Sequence, residues 1–332
     1  MSEEREIGVR LATPDDARAI RRLLLSTYGD GYPFPERLDE STIARGIVEA
    51  TTLYGVAETH ARDMIGLAAL EPRGSHGLFE YSRATVADGF RGTGLLASLG
   101  GLLIRQHAPR HGARFVTGYV VTSHVYAQRF GRSFGFATTG LLLGGLPSQW
   151  VPSGFSRERQ PISELLMALR VARNEPVRDV ALAGPDGDRA LRALAALGVP
   201  ARRGRGKPGE LGAHFERNKA HGLVQLRFAT GAPPRRLHPG FVEGLEAAGT
   251  AILWADVPID HARAPFVVDR LRELGLGFAA YLPAAGVHGE DVLRFQRYLH
   301  DVPLDFDAIQ VIDEARALKD DVIADAVGVV RA

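Results

Sequence analysis

The chain has 332 residues, 45% hydrophobic and 24% charged, with a formal net charge of +1 and no cysteine. That size favours two domains, each able to bury a core, in a soluble globular protein of ordinary composition. The near-balanced charge gives no global drive toward nucleic acid or an anionic membrane, and without cysteine there is no disulfide, thiol nucleophile or zinc–thiolate site.

No apolar run is long enough to span a bilayer, and the opening Met1-Ser2-Glu3-Glu4-Arg5-Glu6 is acidic and lacks an apolar signal core. The default expectation is a cytoplasmic protein with no membrane partner. The histidines show no metal-ligand spacing, so no metal is expected.

Ile7 to Leu11 reads as a short strand. Thr13-Pro14-Asp15-Asp16 then reads as a helix start, with Thr as N-cap, Pro in the first turn and carboxylates facing the helix dipole. The helix is expected to run to about Tyr28. A loop dense in aromatics, Gly and Pro follows from Gly29 to Glu36, then a helix over Asp39 to Glu49. Leu53 to Glu58 and Met64 to Leu70 predict a hairpin around the polar turn His60 to Asp63. An apolar-rich run from Gly77 to Val86 predicts a fourth strand, and Leu95, Leu96, Leu99, Leu102 and Leu103 predict a helix to about His107.

Between that strand and that helix stands Arg91-Gly92-Thr93-Gly94. A glycine turn opening a helix directs free N–H groups and the positive dipole end outward, and so makes an anion site suited to a pyrophosphate. Gly92 to Ala97 also fits G-x-G-x-x-A, the dinucleotide pattern. That reading needs a carboxylate at the end of the next strand, which instead runs Val120-Val121-Thr122-Ser123-His124.

Further on, Arg114 to Val121 predicts a strand, Ser123 to Phe134 a short helix ended by Gly135-Phe136, and Ala137 to Gly144 and Ile162 to Val171 two strands joined by a Pro/Ser/Gly-rich connection. The predicted order, Arg91-Gly92-Thr93-Gly94 after the fourth strand, and Gly135-Phe136 after the last helix together resemble a GNAT N-acyltransferase domain over about residues 5 to 173. Tyr28-Gly29-Asp30-Gly31-Tyr32-Pro33 and the pair His124 and Gln128 look like members of that family with a second C-terminal domain.

The fold class is therefore α/β (α+β): a GNAT fold with a splayed mixed sheet over 1–173, then a second mixed α/β domain over 177–332, with the boundary at Asn174-Glu175-Pro176. In the second half, helices are expected at Asp186 to Leu197, Pro239 to Ala248, Arg263 to Leu274 and through most of Phe306 to Val327. Strands are expected at Leu223 to Phe228, Ala251 to Val257 and Gly277 to Leu282, and a loop at Ala201 to Gly209. Element order alone suggests a degenerate second GNAT-like domain, without a glycine phosphate turn.

The resemblance implies that coenzyme A lies between splayed fourth and fifth strands, with acetyl-CoA the commonest donor. It places the pyrophosphate on Arg91, Gly92, Thr93, Gly94, Leu95 and Leu96, and the acyl carbonyl near backbone groups of Ala84 to Val86. Leu96 stands where the family has Gly or Ala, and its N–H can still donate. Ser123, His124 and Gln128 would touch the pantetheine arm or the phosphates; His124 could equally cap its helix.

For the proton taken from the amine, Glu80 is the candidate base, with an exposed or ion-paired glutamate as the alternative. Period two places Glu80, Ser82, Ala84 and Val86 on one face, among apolar neighbours that would raise the carboxyl pKa. The tyrosine many relatives use for the leaving thiol is replaced by Gly131, with Tyr126 one turn into the helix as a substitute. Tyr28, Tyr32 and Phe34, with Glu36 attracting a cation, form either the acceptor site or an aromatic lid.

The expected activity is transfer of an acyl group, with acetyl first, from coenzyme A to an amine of a small molecule or protein in a ternary complex. Two alternatives remain: a non-catalytic acyl-CoA-binding or scaffold protein, and a donor that is a carrier-protein thioester or aminoacyl-tRNA. The basic loop Arg202, Arg203, Arg205 and Lys207 lacks interleaved aromatics and reads as a solvated loop before it reads as a nucleic-acid contact. Homo-oligomerisation is left open.

Overall fold

A computed structural model describes residues 7–29, 32, 35–146, 161–218, 222–233, 237–299 and 304–330. By contact density it divides into two units, 1–118 with 148–159, and 119–147 with 160–332.

In the first unit, β1 (Ile7–Leu11), β2 (Leu53–Thr59), β3 (Met64–Pro72) and β4 (Leu78–Val86) pair antiparallel in that order. Two helices sit between β1 and β2: α1 (Ala17–Tyr28) and α2 (Glu40–Val48). Each start follows from local chemistry. Asp16 Oδ2 accepts from the Thr13 N–H at 2.7 Å, and Asp39 caps α2 by accepting from the Thr42 N–H at 2.8 Å. Ile20, Leu23 and Leu24 of α1 and Ile43 of α2 pack on Tyr54, Val56, Leu67 and Ala69 of the sheet. Full burial of each large aliphatic side chain contributes about 1.5–3 kcal/mol.

α3 (Leu95–Gly100) opens after the glycine turn and continues through a π-helical stretch, Gly101–His107, into α4 (Ala108–Arg110). Leu99 and Leu103 of this helix press on Gly55, where an added Cβ would lie only 3.2–3.3 Å from them. β5 (Phe115–Val121) runs parallel to β4, with registered pairs at Leu78↔Phe115, Phe79↔Val116 and Glu80↔Thr117. Registered pairing stops there, although β4 continues to Val86.

β4 does not keep the strict alternation expected of it. Its register with β3 slips between Ala69↔Ser82 and Leu67↔Thr85, and Arg83 takes a positive φ of 54°. This is a β-bulge, which adds one residue and inverts the parity of the strand beyond it. Glu80, Ser82 and Thr85 therefore share the face of Glu71, Ala69 and Leu67, while Val86 pairs with Gly66 on the opposite face. The expectation that Glu80 and Val86 share a face is corrected by that extra residue.

The second unit begins within β5. It adds α5 (Tyr126–Ser133), β6 (Ala137–Leu146) and β7 (Ile162–Arg170), the last two antiparallel. A small parallel sheet joins β8 (Arg178–Val180) to β9 (Ala201–Arg203) around α6 (Gly184–Ala196). Then come β10 (Leu211–Asn218), β11 (Leu223–Thr230), α7 (Pro239–Ala247), β12 (Ile252–Pro258), α8 (Ala264–Glu273), β13 (Gly277–Leu282), β14 (Val292–Tyr298) and α9 (Arg316–Val330).

The pairing pattern repeats. β11 lies antiparallel to β10 and parallel to β12, as β4 lies antiparallel to β3 and parallel to β5. β13 and β14 pair antiparallel, as β6 and β7 do. β6 and β13 meet antiparallel at Ala280↔Gly140, where a Cβ on Gly140 would fall 2.1 Å from that of Ala280, so only glycine allows this approach.

Three sequence expectations change. Ala201 to Arg203 is a strand rather than loop, because β8 supplies its ladder partners. The last helix starts at Arg316 after a 3₁₀ turn at Asp313–Ala315, so Phe306 to Ile312 is not helical. β10 and β14 are strands that the pattern reading did not find; His214, Glu216 and Arg217 in the one, and Arg294, Gln296 and Arg297 in the other, hide their alternation. The Pro/Ser/Gly-rich connection lies outside the described residues. Among those described, no helix is long and apolar enough to cross a membrane.

Candidate functional site

The glycine turn has the form an anion site needs. Gly92 and Gly94 take positive φ values of 80° and 84°, with nothing within 4 Å of an added Cβ at either. Both conformations suit glycine, and both leave the backbone approachable. Ala97 and Ser98 N–H groups turn back to the Gly94 carbonyl at 2.9 and 3.1 Å. Among the described residues, no backbone acceptor is recorded for the N–H groups of Gly92, Thr93, Gly94, Leu95 or Leu96. Thr93 Oγ1 donates to the Phe90 carbonyl at 2.6 Å and braces the turn. Leu95 is buried and Leu96 half-buried, so their side chains anchor the helix while their N–H groups stay at its start. Arg91 is 64% exposed and ion-paired with Asp88 at 2.7 Å.

A second group of predicted residues meets others that were not predicted. Tyr28 and Tyr32 stack with ring centroids 5.3 Å apart, and Thr85 Oγ1 hydrogen-bonds Tyr28 Oη at 3.3 Å. Beside them Arg83 donates to Tyr54 Oη and to Glu71 Oε1, both at 2.6 Å, and Tyr32 hydrogen-bonds Arg83 as well. Ser82 Oγ donates to Glu71 Oε2 at 3.3 Å, and Arg37 and Arg73 approach Glu71 at 4.0 and 3.5 Å.

Burial pulls the Glu71 carboxyl up, but Arg83, Arg37 and Arg73 outweigh it and hold it below the usual range. Burial pushes the phenols of Tyr28, Tyr32 and Tyr54 up, so they stay protonated hydrogen-bond groups at neutral pH.

Glu80 joins this network rather than an apolar wall. Arg73 pairs with it at 2.6 Å, and Glu80 stands directly across from Glu71 in the β3–β4 register. The apolar surroundings expected for Glu80 are therefore corrected to an ion pair. Phe34 and the Glu36 side chain lie outside the described residues. Ala84 is half-buried and Val86 buried, on the stretch of β4 without a registered β5 partner. The missed residues had one signal: Glu80 and Arg83 stand three apart in a strand, a spacing that period two cannot place on one polar face without a bulge.

In the second unit, Gln128 is fully buried and saturated. Its Nε2 donates to carbonyls of Gln310, His124 and Val121 at 2.8, 3.2 and 3.4 Å, and its Oε1 accepts from the Ile312 N–H at 3.0 Å. The expectation that Gln128 contacts the coenzyme is corrected: its groups hold the Gln310–Ile312 segment. Ser123 Oγ is buried with no recorded hydrogen bond. His124 lies 5.4 Å from Tyr126 between ring centroids, and Tyr126 is 74% exposed at the start of α5. Gly131 has a packing reason: an added Cβ would meet Met167 Sδ at 2.9 Å, so a tyrosine there would displace α5 from β7. No group of three or more His, Asp or Glu among the described residues is placed to hold a metal ion.

No family model and no curated relative matches the chain. Solved structures do. A protein from Salmonella typhimurium titled an acetyltransferase, with its cofactor acetyl-CoA, is 17% identical at a TM-score of 0.43 over 52% of this chain and 97% of that one. A ribosomal-protein-S5-alanine acetyltransferase from Vibrio fischeri is 12% identical at 0.42, over 53% and 98%. A spermidine N-acetyltransferase from Vibrio cholerae is 17% identical at 0.39, over 49% and 92%.

Proposed function

We propose that the chain is an N-acyltransferase that moves an acyl group, acetyl first, from coenzyme A to an amine by direct attack. The observation that carries this is the glycine turn, where consecutive N–H groups from Gly92 to Leu96 lack acceptors and no Cβ blocks the approach. A bound acyl-CoA supplies the activated thioester. Gly92, Thr93, Gly94, Leu95 and Leu96 hold its pyrophosphate, and Arg91 reaches a phosphate by exchanging its Asp88 contact for one. Backbone groups of Ala84 to Val86, without a β5 ladder partner, orient the acyl carbonyl as negative charge grows on its oxygen.

Glu80, released from Arg73, or a water in its reach takes the amine proton. The departing sulfur, as an acidic thiol, leaves readily without a dedicated acid. Tyr28 and Tyr32, with Phe34, line the acceptor side. Residues 1–173 form the catalytic domain in this reading. Residues 177–332 are a second copy of the same strand pattern that carries no coenzyme. Pro233 follows β11 and Pro239 starts the next helix, and neither has an N–H to donate.

Calorimetry with acetyl-CoA, followed by coenzyme A thiol release with a panel of amines, tests the reading. Binding with release supports it; binding with no release from any amine leaves a coenzyme-binding scaffold in its place. A Glu80→Gln variant with undiminished release removes Glu80 as base.

A further inference from the structure

A costly local arrangement in the first unit lies on the face of β4 away from α3. Arg83 adopts a positive φ, which a side-chain-bearing residue rarely takes, inside a strand. Its side chain is 4% exposed and paired with a Glu71 carboxylate that is 12% exposed. Taking both charges out of water offsets most of their attraction, so this pair is weak evidence of stabilisation. Among the described residues, the Arg83 Nε is also buried with no hydrogen-bond partner. Backbone strain, a buried ion pair and an unmet donor on one residue mark a ligand site more readily than a core.

Around Arg83 the groups are rich in donors. Tyr54 Oη accepts from the guanidinium, which leaves its own proton to give. Arg37 and Arg73 stand at the rim, 21% and 38% exposed. Among the described side chains the cluster holds the three guanidiniums of Arg37, Arg73 and Arg83 and the two carboxylates of Glu71 and Glu80. A cationic group brought here would meet more guanidinium than carboxylate. An anionic group would meet planar donors able to bind it in pairs.

We propose that the Arg83 cluster, with Arg37 and Arg73 at its rim and Tyr54 beside it, recognises a carboxylate on the acceptor, so that the amine acylated belongs to an amino acid or another carboxylate-bearing amine. This rests on the acyltransferase reading and names its substrate class. It replaces the cation expected from Glu36 with an anion. The buried guanidinium sets the specificity: an acceptor lacking the carboxylate leaves Arg83 Nε unmet, and such a site rejects an analogue that lacks its polar group far more strongly than one differing in size.

The full chain is assayed for thiol release from acetyl-CoA with each standard amino acid, its amide and its decarboxylated amine. Calorimetry with the same compounds is run without coenzyme. At least one amino acid is expected to bind and to release thiol, with its amide and decarboxylated amine lower in kcat/KM by on the order of a hundredfold. Because Arg83→Met alone strands Glu71, the Arg83→Met/Glu71→Gln double variant and the rim variant Arg37→Met are compared. Both are expected to lose the preference for acid over amide, mainly through KM, with acetyl-CoA affinity unchanged.

Equal use of amides, or an unchanged preference in both folded variants, overturns the proposal. So does acetyl-CoA binding with no binding by any carboxylate-bearing amine. If acetyl-CoA fails to bind while an amino acid binds and the double variant abolishes that, the acyltransferase reading falls and the carboxylate site stands. If neither binds, both fall.

Discussion

β4 with β5, and β11 with β12, are parallel pairs in which the first strand leads through a connection into a helix before the second strand. β4 and β5 keep register over three pairs and then stop. β11 and β12 keep register over five, from Leu223↔Ile252 to Arg227↔Asp256. The last of those pairs is stitched by a carboxylate. Asp256 accepts from Arg294 Nε of β14 at 2.7 Å and from Gln225 of β11 at 2.7 Å, and the Arg294 guanidinium lies 4.3 Å from the Trp254 ring centre. The turns differ in the same sense: Gly92 and Gly94 leave N–H donors bare, while Pro233 and Pro239 have none to offer. The first connection is donor-rich; the second pair is held by buried ionic and hydrogen-bonded contacts.

The sharpest way to break this comparison is to remove the stitch. Arg294 is 5% exposed, so Asp256→Ala strands a buried guanidinium and is expected to cost about 3–5 kcal/mol in chemical denaturation, with coenzyme affinity unchanged. A loss under about 1 kcal/mol would mean that the second pair is not held by this contact. Next, Gly94→Val is expected to weaken acetyl-CoA binding by about a hundredfold, which matches two lost charge-assisted hydrogen bonds of about 1.5 kcal/mol each. Gly231→Ala, also at a positive φ (78°), is expected to cost about 1 kcal/mol of stability and nothing in affinity.

A smaller effect concerns the helix beside the expected acid position. Gly131→Ala is expected to cost about 1 kcal/mol as the flexible Met167 side chain gives way, with no gain in thiol release. A gain would show that the position still belongs to the chemistry.

The smallest effect is set by pH and confined to the first unit. A side-chain hydrogen bond from Arg10 holds the Asp16 carboxyl down at about 2. Its folded value lies below the unfolded value of about 3.9, so its contribution is complete above pH of about 4 and is lost as pH falls through about 2. Asp16→Asn should flatten the acid limb of a stability profile in that window and lower stability by a pH-independent amount above it. An unaltered acid limb would show that the pair contributes nothing.

Much of the first unit was legible. Thr13 and Asp39 announce their helices, the hairpin turn lies where polar residues interrupt two apolar runs, and Gly92 and Gly94 sit where only a tight turn fits. What the pattern hid was the bulge. Counting by two from Glu80 reaches Val86, but the strand contains one residue more than its partner, and that residue is Arg83. The buried network on Glu71 was invisible for the same reason, since its members come from the turn at Arg37 and from β2, β3 and β4 and meet only after the sheet forms. Gln128 looked like a ligand contact because an amide near a helix start can serve either use; its partners Gln310 and Ile312 lie far along the chain. In the second half, β10 and β14 carry arginines and a histidine through their pairing, so alternation was masked by side chains that bind each other or reach solvent.

The donor-rich turn at Gly92 to Leu96 is expected to be the coenzyme seat of this chain. Calorimetric titration of acetyl-CoA into the full chain, its Gly94→Val variant and its Gly231→Ala variant tests this directly. One site per chain is expected, with affinity about a hundredfold lower in Gly94→Val and unchanged in Gly231→Ala. Two equivalent sites, or binding undiminished in Gly94→Val, would contradict it.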